Sequence, residues 1–179
     1  MTKFNIITSL CRKGGIGHRG YIPWSNSELY TNMFGELTRG NGNNAVLMGG
    51  NTFNHIWSYQ YMPFVGRQTL IWSNNLFNDI PNPCQKIEYF DSLNKIVSNT
   101  QYEEIWIIGG ERMFSQIVKE NIPIQTIYVN YIDKDYKCDL FFPLEIFNRN
   151  DNFNVIGSRL VNNTNQYIMR VDRNTPTIM

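Results

Sequence analysis

The sequence has 179 residues, which is the usual size of one domain. Apolar residues make up 42% and aromatic residues 14%, so the chain can build a packed core, and this composition excludes a disordered or collagen-like protein. The 16 basic and 15 acidic side chains leave a net charge of +1, which excludes the basic surface typical of nucleic-acid binding or of attachment to an anionic membrane. We therefore expect a small-molecule partner, with neither nucleic acid nor membrane.

Cysteine and histidine are too few and too scattered for a metal centre. Cys11, Cys84 and Cys138 are widely spaced, and His18 and His55 are the two histidines of the sequence. No pair of cysteines has the spacing of zinc ligands, so no metal site is predicted. The first residues, MTKFNIITSL, are typical of a buried strand rather than a signal peptide. We expect a cytoplasmic monomer.

Strand and helix patterns alternate along the chain, which predicts an α/β fold with a mostly parallel sheet. Strands are predicted over Phe4–Leu10, Asn44–Met48, Thr69–Trp72, Lys86–Phe90, Glu104–Ile108, Thr126–Ile132, Asn154–Leu160 and Gln166–Asp172. Helices are predicted over Ser27–Thr38, from Asn51, over Ser92–Ser98 and over Glu111–Glu120. The last two strands form an antiparallel hairpin, and residues 1–179 are expected to form a single domain.

Three glycine clusters are candidates for binding a phosphate. The segment from Gly15 to Gly20 matches the G-x-G-x-x-G pattern, but it leads into Tyr21-Ile22-Pro23-Trp24 rather than a helix, so it is a poor dinucleotide fingerprint. Gly49-Gly50 and Gly109-Gly110 each join a buried strand to a helix, where free N–H groups suit phosphate. Each alone is typical of a tight turn. Two such junctions in one small sheet favour a diphosphate, and therefore a dinucleotide cofactor.

Five short motifs, in order and in register, resemble the dihydrofolate reductase family from about Phe4 to Asp172. They are Ile16-Gly17 with Pro23-Trp24, Val46-Leu47-Met48-Gly49 with Thr52, Pro63-Phe64-Val65-Gly66-Arg67, Ile107-Ile108-Gly109-Gly110, and Asp139-Leu140-Phe141-Phe142-Pro143. The resemblance implies a mainly parallel eight-stranded sheet with an antiparallel C-terminal hairpin and about four flanking helices. It also implies reduction of 7,8-dihydrofolate to tetrahydrofolate by hydride transfer from NADPH, with NADH left open, in folate and one-carbon metabolism.

The resemblance also assigns residues to the substrate. Residues 16–24 would form a loop that closes over the nicotinamide, with Trp24 positioning the pterin. The substrate-binding residues would be Phe34, Ile56, Phe64, Arg67 and Asn130. Arg67 would pair with the glutamate carboxylate of the folate, a role that suits a guanidinium, although an ordinary surface charge is the alternative.

Cofactor binding falls mainly on the glycine junctions. The resemblance implies contacts from Ser9, Ile16, Gly17, Gly49, Gly50, Asn51, Thr52, Ser73, Asn74, Ile108, Gly109, Gly110, Glu111, Arg112, Met113 and Phe114. It further implies a cis peptide bond between Gly109 and Gly110.

The acid that family members use to hold the pterin is displaced in this sequence. Without a gap its position falls on Tyr30, a phenol that is neutral at physiological pH. Glu28 is the nearest carboxylate, but its use requires a gap that displaces Phe34. Ser25-x-x-Glu28 is also a capping box, which explains Glu28 without catalysis. Both Glu28 and Tyr30 therefore stay candidate catalytic residues beside Trp24.

Other departures leave alternative functions open. The family's threonine near the acid is Asn130, its tyrosine near the nicotinamide is Phe114, and the basic residues that hold the 2′-phosphate are Gly50 and Asn74. Arg112 could compensate for the lost charge, or be a solvated helix residue. The alternatives are a catalytically impaired relative with a binding or structural role, and a reductase for another heterocycle.

Overall fold

The computed structural model describes residues 1–24, 28–58, 64–73, 87–98, 101–147, 153–160 and 166–173. Ten strands lie in these ranges: β1 Lys3–Cys11, β2 Gly15–Gly17, β3 Asn44–Gly49, β4 Arg67–Trp72, β5 Ile87–Phe90, β6 Glu104–Gly109, β7 Ile124–Ile132, β8 Leu140–Phe141, β9 Phe153–Leu160 and β10 Gln166–Arg173. The α-helices are α1 Glu28–Arg39, α2 Gly50–Ser58, α3 Leu93–Val97 and α4 Glu111–Lys119, and a 3₁₀ turn follows at Leu144–Phe147.

Eight strands form one sheet in the order β5-β4-β3-β6-β1-β7-β10-β9. The pairs from β5 to β7 are parallel, and the pairs of β10 with β7 and β9 are antiparallel. This confirms the predicted α/β class, the mainly parallel sheet and the antiparallel C-terminal strands.

The central strands are buried on both faces, as parallel strands covered by helices require. In β3, Ala45 and Leu47 face one side and Val46 and Met48 the other, because successive side chains alternate. The larger cluster, on the first side, also contains buried residues of α3 and α4, and we call it the α4-side cluster. The second, which we call the α2-side cluster, consists of Val46, Met48, Phe53 and Ile71.

A third cluster lies at the end of β1 and positions one end of the site. Cys11, Trp24 and Ile132 are its buried members, and Tyr136 and Cys138 pack against them. We call it the Trp24 cluster.

A two-stranded antiparallel sheet between β2 and β8 differs from the sequence prediction, which left residues 15–24 as a loop. Gly15 pairs with Phe141 and Gly17 with Leu140. Strands of three and two residues are too short to show an alternating pattern, and glycine is depleted in strands. The pairing partner lies far along the chain, so no local signal identifies it.

Among the described residues, no helix combines the length and apolarity needed to cross a membrane.

Candidate active site

A buried guanidinium flanked by two aromatic rings lies at the start of β4. Arg67 is 7% exposed, and its guanidinium carbon lies 5.7 Å from the ring centre of Phe34 and 5.2 Å from that of Phe64. The two ring centres are 5.6 Å apart. Both cation-to-ring distances are within the range of cation–π attraction. The structure thus brings together three of the five predicted substrate-binding residues.

Local backbone geometry holds this guanidinium in place. The Arg67 N–H donates to the Phe64 carbonyl oxygen at 3.1 Å, across a turn in which Gly66 has a φ of +79° that favours glycine. Arg67 Nη1 donates to Thr38 Oγ1 at 2.6 Å, and the Thr38 hydroxyl donates to the Phe34 carbonyl oxygen at 2.7 Å. Thr38 therefore couples the arginine to the C-terminal half of α1, a role that its sequence context did not indicate.

The buried guanidinium of Arg67 has a hydrogen-bond donor, Nε, that no acceptor among the described residues satisfies. Burial lowers the pKa of Arg67, and the neighbouring positive charge of Arg39 lowers it further. Arg67 Nε is buried and has no hydrogen-bond partner within the described ranges. A buried donor without an acceptor is costly, and a carboxylate matches the guanidinium fork. The arrangement is therefore suited to an anionic ligand that also carries an aromatic group.

Apolar candidates lie on the same side of the sheet as this arginine. Ile56, Phe64 and Ile108 are partly buried, and all three pack against the α2-side cluster. Ile56 and Phe64 were predicted to contact substrate and Ile108 to contact the nicotinamide. These three predicted contact residues are therefore supported by one cluster of the core.

The two predicted glycine junctions meet, because β3 and β6 are neighbouring parallel strands. Met48 is in register with Gly109, and the peptide bond from Gly109 to Gly110 is cis. A Cβ added to Gly110 would lie 3.2 Å from Thr52 Oγ1, so the first turns of α2 and α4 are in close contact. First-turn N–H groups have no partners within a helix, and two adjacent helix N-termini suit a diphosphate.

The other predicted cofactor residues near these turns differ in exposure. Gly50 begins α2, and Asn51 and Arg112 are exposed. Met113 and Phe114 are each 1% exposed and belong to the α4-side cluster, so their side chains are core residues. Phe114 packs on Phe142 with ring centres 4.9 Å apart.

Two further predicted cofactor residues make contacts at strand ends. The Ser73 N–H donates to the Phe90 carbonyl oxygen at 2.9 Å, just beyond β4. Glu111 Oε1 accepts from the Phe141 N–H at 2.9 Å, which connects α4 to β8. Asn74 lies outside the described residues.

Asp139 holds residues 15–24 in place. It is the first residue of the motif Asp139-Leu140-Phe141-Phe142-Pro143, and the sequence suggested no role for it. Its N–H donates to the Gly17 carbonyl oxygen at 3.0 Å, and both of its carboxylate oxygens accept from the Arg19 N–H at 3.0 Å. His18 Nδ1 lies 3.5 Å from the same carboxylate. Ile16 is partly buried and packs on the α4-side cluster.

Trp24 and Asn130 lie near the same end of the sheet. Trp24 is 6% exposed within the Trp24 cluster, and its ring centre lies 5.5 Å from that of Tyr136 in an edge-on contact. Asn130 is 4% exposed, and its Nδ2 donates to Ser9 Oγ at 3.1 Å. Asn130 Oδ1 is buried and has no hydrogen-bond partner in the described part of the chain, so it is an unsatisfied acceptor.

Glu28 and Tyr30 both belong to the first turn of α1. Their side chains lie outside the described residues. Their roles stay predictions.

The chain was compared with known proteins. A family model described as dihydrofolate reductase matches residues 3–174. A dihydrofolate reductase of Heliothis virescens is 26% identical over 179 residues, covering 94% of this chain and 96% of the relative. Dihydrofolate reductases of Drosophila melanogaster and Aedes albopictus are 29% and 26% identical, and each match covers 80% of both chains.

Replacing Asp139 should release residues 15–24 while leaving the fold intact. We expect Asp139→Asn to speed amide hydrogen exchange in this segment about tenfold, because charge-assisted bonds contribute about 1.5–3 kcal/mol. Hydrogen-exchange mass spectrometry measures the effect. Asp135→Asn is the matched control, since the Asp135 carboxylate is exposed and lies 4.0 Å from Lys13 Nζ. Equal exchange in both variants would contradict the assigned role.

Proposed function

Because the chain belongs to the dihydrofolate reductase family, we propose that it reduces 7,8-dihydrofolate to tetrahydrofolate by hydride transfer from NADPH, in one-carbon metabolism. The observation that carries this proposal is the buried Arg67, whose unpartnered Nε lies beside Phe34 and Phe64. A folate has an aromatic benzoyl group joined to a glutamate. It therefore supplies a ring that can pack on the two phenylalanines and a carboxylate that can pair with Arg67.

The residues present fit a dinucleotide. A Cβ added to Gly110 would make a tight contact of 3.2 Å with Thr52 Oγ1, so the two helix starts adjoin, and their N–H groups suit a diphosphate. Residues Gly49, Gly50, Thr52, Gly109, Gly110 and Glu111 would hold this part, and Ile108 would contact the nicotinamide. When bound, NADPH supplies the hydride.

The side chains of the protein bind and orient the substrate and deliver the proton. Arg67 binds the substrate carboxylate, and Phe34, Ile56 and Phe64 enclose the benzoyl group. Trp24 and Asn130 orient the pterin, with Asn130 Oδ1 accepting a hydrogen bond from it. Residues 15–24, held by Asp139, exclude water from the pocket and so strengthen its electrostatic interactions.

We assign the acidic role to Glu28, at the first position of α1, where a carboxylate interacts favourably with the helix dipole. It holds the protonated pterin and supports proton delivery to N5. Tyr30 is the competing position because the register without a gap falls there, but its phenol cannot supply an anionic acceptor.

Steady-state oxidation of NADPH by the purified chain tests the function directly. We expect turnover that requires dihydrofolate and is blocked by methotrexate, at about 1 s⁻¹ or more. Substituting NADH in the same assay measures the cofactor preference. We expect the preference for NADPH to be weak, because position 50 has no basic residue to hold the 2′-phosphate. Folded protein that binds methotrexate, seen as a raised melting temperature, but shows no turnover would instead support the impaired relative with a binding role. No binding and no turnover would point to another heterocycle.

Arg67 should determine affinity for the glutamate tail. We expect Arg67→Lys to raise KM for dihydrofolate about 10- to 100-fold with a smaller change in kcat, because a fork of charged hydrogen bonds worth about 1.5–3 kcal/mol is lost. With dihydropteroate, which lacks the glutamate, KM should change little. Arg39→Lys is the matched control, since Arg39 is an exposed cation beside Gly66. An equal rise in KM for both substrates would rule out the pairing.

Substitutions in the first turn of α1 locate the acid. We expect Glu28→Gln to lower kcat/KM by about 10²- to 10⁴-fold, the usual loss when a proton-transfer group is removed. Tyr30→Phe, the control, should leave it within a few-fold. If Glu28→Gln keeps full turnover and Tyr30→Glu raises it, the assignment is wrong and the acid position is residue 30.

A further inference from the structure

Two thiols that the proposed function does not use lie against each other beneath residues 15–24. Cys11 Sγ and Cys138 Sγ are 3.9 Å apart, and neither forms a disulfide. Cys11 is 1% exposed, while Cys138 is only partly buried. The two residues are 127 positions apart in the sequence, so the fold alone creates the pair.

Gly15, at the start of the segment 15–24, contacts this pair, and Trp24, at its end, belongs to the same cluster. A Cβ added to Gly15 would clash with Cys138 Sγ and lie 3.1 Å from Cys11 Sγ, so the Gly15 backbone is in direct contact with the thiols. At the other end, Trp24 packs with Cys11 in the Trp24 cluster. Cys138 is also followed directly by Asp139, which holds Gly17 and Arg19.

We propose that Cys11 and Cys138 form a redox-active dithiol, and that their disulfide restrains residues 15–24. The proposal concerns a modification site and does not rest on the reductase function. A disulfide bond is about 2.05 Å long, so each sulfur has to move by about 1 Å. Rotation about the two Cα–Cβ bonds is a small enough change for a pair already in contact.

The exchange is balanced with a low-molecular-weight disulfide as the oxidant. The partly exposed Cys138 attacks one sulfur of the oxidant, forming a mixed disulfide and releasing one thiol. Cys11 then attacks Cys138 Sγ, which closes the Cys11–Cys138 bond and releases the second thiol. Two cysteine thiols are oxidised, and the oxidant is reduced by the same two electrons and takes up the two protons.

The environment makes this exchange slow rather than impossible. Burial and the adjacent Cys11 raise the pKa of Cys138 to about 11. Only a small fraction is thiolate at neutral pH, and the thiolate is the reacting form. Oxidation must therefore be followed to completion, and the reduced pair persists during brief exposure to an oxidant.

The oxidised state should hold the loop more tightly than the reduced state. A bond from the last residue of β1 to the residue before Asp139 fixes the backbone on which Gly15 rests. Openings of residues 15–24 that require the thiols to separate are then blocked. Amide exchange in this segment slows, while exchange in β9 and β10 is unchanged.

The experiment incubates the full-length chain with oxidised glutathione until its mass is constant, and then maps the cysteines by tryptic digestion. The sequence places Cys11, Cys84 and Cys138 in different tryptic peptides, residues 4–12, 68–86 and 138–149. We expect a linked 4–12/138–149 pair about 2 Da lighter than the two separate peptides. Amide exchange of residues 15–24 should be about tenfold slower and should recover after dithiothreitol.

Matched variants separate this bond from other oxidation. Cys84→Ser should behave like the natural chain, whereas Cys11→Ala and Cys138→Ala should show no slowing in oxidant. Each of these two variants keeps one thiol, so a folding defect in one leaves the other as the test. Neither readout needs turnover, so failure of the reductase assay leaves this result standing.

Two outcomes overturn the proposal. One is a mixed disulfide with glutathione, or no reaction, without the 4–12/138–149 link. The other is a formed link with unchanged exchange in residues 15–24.

Discussion

Parallel pairing of three buried strands fixes where the candidate site residues lie. Ile107 of β6 is in register with Ile6 of β1 on one side and Leu47 of β3 on the other, and all three side chains are at most 2% exposed. Parallel strands end at the same edge of a sheet, so the junctions that follow β3 and β6 must be neighbours. A one-residue slip in either pairing would exchange the side chains of the two buried faces and so disrupt the packing on both. The apolar core therefore enforces the geometry of the polar edge.

Arg67 lies at the start of β4, at the opposite end of the strands from the glycine junctions, and it shows how a site residue differs from the core. Cation–π contacts with Phe34 and Phe64 and the bond to Thr38 compensate part of the cost of burying the charge. The unpartnered Nε leaves the rest uncompensated. An arginine placed only for stability would be paired or exposed. A ligand carboxylate would satisfy this donor, which is why the proposed function depends more on Arg67 than on the glycine junctions.

Local sequence patterns predicted the elements well and the contacts between distant segments poorly. The strand-glycine junctions and the segment from Phe64 to Arg67 have signatures within a few residues, and the structure has them as expected. The bonds from Arg19 to Asp139 span 120 positions, and the thiol pair spans 127. Such contacts depend on the register of whole strands, and a short stretch of sequence does not determine that register. Thr38 is an intermediate case, because its bond to Arg67 spans 29 positions and crosses from a helix to a strand.

Residues 138–141 connect parts of the site that the sequence presents as separate. Cys138 lies on Cys11, Asp139 holds Gly17 and Arg19, and Leu140 pairs with Gly17. The next N–H, of Phe141, donates to the Glu111 carboxylate at the start of α4. The loop, the dithiol and one of the two candidate phosphate-binding turns are thus attached to one four-residue segment. Short, directional contacts therefore make these four residues a shared attachment point for the loop, the thiol pair and the start of α4.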